Sequence, residues 1–138
     1  MRHSAWLQGG LGLTLFALGL AAGLAAGEVT DSPSRQEQAR TDLSGAPGME
    51  VIGSIIEIAP GQSSRLHVHH GVELYHVLQG APIDAPGHGL VELATGTTAF
   101  NLRDVPHGAF TVRGEQPLKL LAVHIVDKGQ PLYDYATE

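Results

Sequence analysis

Cysteine is absent from this 138-residue chain. Its absence excludes disulfides, thiolate metal ligands, a cysteine nucleophile and lipid attachment through a cysteine at a leader cleavage site. Any metal bound here must be held by histidine and carboxylate. Basic side chains are scarce as well: 8 Lys and Arg stand against 14 Asp and Glu, for a formal net charge of −6. A chain of that sign lacks the cationic field that draws in phosphate backbones or anionic lipid. No nucleic acid and, for the mature form, no membrane is therefore expected as a partner; a small-molecule ligand or substrate and cations are. Helical periodicity of useful length is missing after Gly27, as are internal repeats and low-complexity tracts. The length favours one domain, and 43% hydrophobic residues permit the apolar core on which a protein without disulfides depends.

Long apolar runs are confined to one place. Residues 11–26 read LGLTLFALGLAAGLAA behind a short head carrying Arg2, and Ala25, Ala26 and Gly27 precede Glu28. This is the pattern of a secretory signal peptide, shorter than the ~20 apolar residues that span a bilayer. Residues 1–27 are thus expected to be cleaved and the mature protein to be exported, periplasmic or secreted. Residues 28–48 are rich in Ser, Thr, Gln, Arg, Asp and Pro without an apolar period, which predicts an exposed polar arm or linker before a domain spanning 49–138. From Met49 onward the chain breaks into short β-like runs, EVIGSIIEI, SRLHVH, ELYHVL, LVELA, TTAFNL, GAFTV and LKLLAVHIV, separated by Gly and Pro. Short strands at such spacing predict an all-β sandwich or barrel. In the first run Val51 and Ile55 share one parity while Ile52, Ile56 and Ile58 share the other, so both faces are apolar and a homodimer is expected. A monomeric mass by light scattering would reject it.

His67 and His69 stand two apart in SRLHVH, so on a strand both rings leave the same face, two rises of about 3.3 Å apart. Four residues later comes Glu73, after His70, Gly71 and Val72, a segment short enough to turn the chain and bring the carboxylate back from the next strand. Two neutral nitrogens and one anionic oxygen then face one point. His107, in DVPHGAF, is the candidate fourth donor, in keeping with metal sites that hold three or four protein ligands and leave room for water or substrate. Tyr75 and His124 are further, catalytic candidates. Tyr75 shares the parity of Glu73 and points to the same side, where it either fills space or orients a substrate. His124 lies in an apolar strand, where a core histidine satisfied by a hydrogen bond is expected. Arg65 shares parity with His67 and is expected to be solvated, as are His70 and His88; His76 should face outward.

These residues resemble the cupin family. Its first motif, Gly, five residues, His-x-His, three or four residues, Glu, six residues, Gly, is matched at every position by Gly61, His67, His69, Glu73 and Gly80. In its second motif Gly96 and His107 stand at the matching distance, whereas Leu102, Asp104 and Thr111 replace the family's Pro, Gly and Asn. The resemblance implies a single-domain double-stranded β-helix, a jelly-roll barrel, in which His67, His69, Glu73 and His107 bind one divalent metal: iron, manganese, nickel, copper or zinc. With iron, a His and carboxylate site of this kind has open positions that admit substrate and O2 side by side, so a metal-dependent oxidoreductase of dioxygenase type acting on a small organic molecule is expected. A non-catalytic module that binds a metal or small ligand, and a Zn- or Ni-dependent isomerase or cyclase, stay open beside it.

Overall fold

A computed structural model describes residues 31–135, which contain eleven strands and, among the described residues, no helix. The expected leader, residues 1–27, lies outside the described residues. The strands are β1 (Arg35–Asp42), β2 (Met49–Ile58), β3 (Ser63–Ser64), β4 (His67–Val68), β5 (Gly71–Gln79), β6 (Ala81–Ala85), β7 (Gly89–Leu93), β8 (Thr98–Asn101), β9 (Phe110–Val112), β10 (Leu118–Asp127) and β11 (Asp134–Tyr135). Every pairing is antiparallel. One sheet runs β1-β2-β10-β5-β8, a second runs β3-β9-β6-β7, and β11 with β4 forms a short two-stranded ribbon.

Period-two alternation explains how the sheets face each other. On β2, Ile52, Ile56 and Ile58 are buried, and on β10 so are Leu118, Leu120, Ala122 and Val126. Ile56, Ile58, Val77, Leu118, Leu120 and Ala122 of the first sheet meet Ala81, Ile83 and Val112 of the second in one core cluster. A smaller cluster of Ile52, Val126, Leu132 and Tyr133 sits apart from it. The outward parity of the first sheet is apolar too: Ile125 pairs with Val51 and Val72, and Leu121 pairs with Ile55.

The segment 28–48, expected to be an arm, instead contributes β1, so the folded unit begins before Met49. β1 pairs with β2 from Arg35↔Ile56 to Asp42↔Glu50. As an edge strand exposed along nearly its whole length, it is held by its backbone ladder and carries no buried apolar stripe to betray it. Arg35 pins its start: the buried guanidinium bonds Asp31 and donates to Ser54 Oγ at 2.7 Å. β6 was not expected either, because Pro82 and Pro86 mark turns in most settings. SRLHVH is also divided, with Arg65 and Leu66 lying between β3 and β4.

Candidate metal centre

β4 and the start of β5 carry three of the four expected ligands. His67 and His69 are buried, with ring centroids 4.8 Å apart, and Glu73 is 4% exposed. What brings in His107, some forty residues downstream, is a backbone bridge. The amide of His67 donates to the carbonyl of His107 and that of His107 donates to the carbonyl of His67, both at 3.0 Å. The two rings thereby come within 4.3 Å of each other. Gly108 permits this close approach: its φ is +88°, and a Cβ there would stand 2.6 Å from the Arg65 carbonyl oxygen. The loop before it departs from the family motif. Asp104, standing at the family's glycine position, adopts φ +57°, a left-handed conformation that Asp tolerates better than most residues.

Each of the three imidazoles is turned by one backbone acceptor. Nδ1–H of His67 donates to the carbonyl of Arg65 at 2.6 Å, that of His69 to Leu132 at 2.5 Å, and that of His107 to Val105 at 2.9 Å. A carbonyl only accepts, so Nδ1 carries the proton and Nε2 keeps its lone pair. His67, His69 and His107 offer donor atoms that lie within 4.8 Å of one another. Glu73 Oε2 lies 3.3 Å from His69 Nε2 and 3.5 Å from His107 Nε2, and it accepts a hydrogen bond from Asn101 Nδ2 at 2.7 Å. The structure therefore brings the four expected residues into one cluster and adds Asn101, which sequence spacing does not reveal.

The fit to a cation rests on stranded atoms. His69 Nε2 and His107 Nε2 are buried without a hydrogen-bond partner among the described residues, even though the Glu73 carboxylate is close. Two donors about 2.1 Å from a common ion and at the tetrahedral angle are about 3.4 Å apart, so separations of 3.3 and 3.5 Å suit co-ligands of one ion better than hydrogen bonds. Stranded polar atoms cost about 1–3 kcal/mol each, and a bound cation would remove that cost. Charge states agree. Burial pushes the His67 imidazole down to about 4, keeping it neutral near pH 7. Three imidazole nitrogens and one carboxylate suit a divalent ion.

His124 departs from expectation. It is fully buried, yet among the described residues neither ring nitrogen finds a hydrogen-bond partner; its neighbours across the ladder are Ile52 and Glu73. Tyr75 is half-buried and packs against the core. Arg65 is exposed but not simply solvated, since its guanidinium lies 4.1 Å from the centroid of the Tyr135 ring. His70 is also engaged: it bridges Asp104 at 2.8 Å and Asp134 at 3.2 Å.

A chamber of about 300 Å³ opens onto His67, Glu73 and His107. Ile56, Ile58, Ile83, Leu93, Phe110 and Leu120 line it, together with Tyr75. Tyr133 and Tyr135 stack at 6.0 Å along its wall, and Tyr133 lies 4.6 Å from the His67 ring. Burial and the Glu73 charge hold the Tyr133 phenol well above its usual range, so it stays protonated. Neither tyrosine at the chain's end stood out in the sequence, for they follow the last regular strand run.

Known proteins place the arrangement. The family described as Cupin domain matches residues 54–124. No curated protein matches the chain. Among solved structures, an uncharacterized conserved protein with a double-stranded beta-helix domain from Klebsiella pneumoniae superposes with a TM-score of 0.54 at 20% identity, over 75% of this chain and 84% of that one. The polyketide cyclase RemF from Streptomyces resistomycificus superposes with a TM-score of 0.53 at 23% identity, over 80% of this chain and 79% of that one. At such identities the likeness shows the fold, a double-stranded β-helix.

Proposed function

Because the chain belongs to the Cupin domain family and turns a His/Glu cluster toward an apolar chamber, we propose that it is a metal-dependent oxidoreductase, dioxygenase-like, acting on a small organic molecule. The observation that carries this reading is the convergence of three backbone-oriented imidazoles with Glu73 in one cluster, of which His67, His107 and Glu73 open onto the chamber. A divalent ion held there would polarise a bound oxygen atom or take part in redox chemistry with O2. The chain's own residues perform the rest. Asn101 holds the Glu73 carboxylate in place, the aliphatic walls exclude water from the ion's side of the chamber, and the protonated Tyr133 hydroxyl is a donor for a substrate oxygen. Walls so largely apolar favour a substrate with an apolar body and few polar groups.

In the same reading residues 1–27 direct export, which places the mature protein in the periplasm or outside the cell, and the apolar outward face of β2 and β10 pairs two copies. The test is O2 consumption by the iron-loaded protein with a panel of phenols and carboxylic acids of apolar body. Turnover that requires both iron and O2 is expected. Turnover that persists anaerobically with Zn or Ni would overturn the oxidoreductase assignment in favour of isomerase or cyclase chemistry, and no turnover with any metal would leave a binding module.

A further inference from the structure

His124 faces Glu73 directly across the β5–β10 ladder. Its Nε2 lies 3.5 Å from Glu73 Oε1, whereas the close contacts of His69 and His107 are with Oε2, and its ring centroid is 4.6 Å from that of His69. A histidine in an apolar core normally satisfies at least one ring nitrogen, yet both of these are buried and, among the described residues, without a partner. His69, Glu73 and His124 offer donor atoms that lie within 4.8 Å of one another, a second trio that shares His69 with the first. We propose that His124 is a fifth ligand of the metal, so that the centre presents four imidazoles and one carboxylate.

This inference rests on the metal-binding reading and adds one donor to it. The added donor differs from the others in one respect. His67, His69 and His107 each have Nδ1–H anchored on a carbonyl, whereas Nδ1 of His124 has no acceptor. Among the described residues no acceptor pre-turns its ring, so it would be held less firmly than the other three imidazoles. The donor count also bears on the reaction. Each protein donor added to the ion would leave fewer positions for exogenous ligands. Holding the substrate then falls more to the walls of the chamber.

The test is calorimetric titration of metal-free protein with Co(II), together with the visible Co(II) spectrum and thermal melts with and without the ion. The parent is compared with His124→Leu and with His76→Ala, a control on β5 whose ring bonds Thr98 Oγ1 outside the cluster. His124→Leu is expected to weaken Co(II) binding at least tenfold and to shift the Co(II) bands. It should leave the metal-free melting temperature equal or higher, because two stranded nitrogens are replaced by an apolar group of similar size. His76→Ala should keep parental affinity. If leucine disturbs folding, His124→Gln supplies the same affinity readout. Parental affinity and unchanged bands in the His124 variants would overturn the proposal while leaving the metal site intact. A parent that takes up no Co(II) would overturn the metal reading itself.

Discussion

An alanine at Gly71 is expected to cost the fold on the order of 3–5 kcal/mol, a large part of the roughly 5–15 kcal/mol that a domain holds. The sequence suggests that this glycine eases a turn, but the structure gives it another task. Gly71 opens β5 opposite Val126 of β10, and a Cβ there would stand 2.1 Å from the Ile125 carbonyl oxygen and 2.5 Å from Val126 Cα. Those are backbone atoms of a strand paired on both sides, to β2 and to β5. They cannot retreat without breaking one of the two ladders, and Glu73, two residues along, would be carried out of position. Gly53 supplies the contrast: on β2 its added Cβ would meet nothing within 4 Å. Urea melts of Gly71→Ala and Gly53→Ala should show a large loss in the first and little change, or a slight gain, in the second. Equal shifts in the two would contradict this account of the strand contact.

Much of the centre was legible in the chain, and for a physical reason. The two-residue spacing of His67 and His69 and the short return to Glu73 are local relations, set by the strand repeat and one tight turn. The apolar alternation of β2 and β10 declared a β core in the same way. Relations across the sheet were not legible. Glu73 is flanked by Asn101 on β8 and His124 on β10, one polar partner on each side of its ladder, and that register depends on how distant strands pair. His124 therefore looked like an ordinary core histidine. β1 escaped notice because a charged edge strand needs no apolar face, and β6 because Pro82 reads as a turn although it sits in a strand between β9 and β7. At the second motif's glycine position Asp104 itself takes a left-handed conformation.

The second large effect concerns the ion. His69 is common to both donor trios, and His67 exchanges backbone hydrogen bonds with His107. Removing both imidazoles leaves His107, His124 and Glu73, and His107 loses the ring it packs against at 4.3 Å. A His67→Ala, His69→Ala variant should thus retain less than about a tenth of the parent's metal, since a protein–metal complex draws its affinity from donors that converge. Its metal-free form should still fold, because the buried cores formed by Ile56, Val77, Val112 and Leu118 lie elsewhere. Far-UV circular dichroism checks that point in the same samples.

Elemental analysis of parent and double variant, purified in parallel without added chelator, puts the centre to its most direct test. Close to one divalent ion per chain in the parent and near none in a folded variant is the outcome the geometry predicts. Equal metal content in the two, or a parent free of metal after exposure to iron, manganese, nickel, copper and zinc, would contradict it.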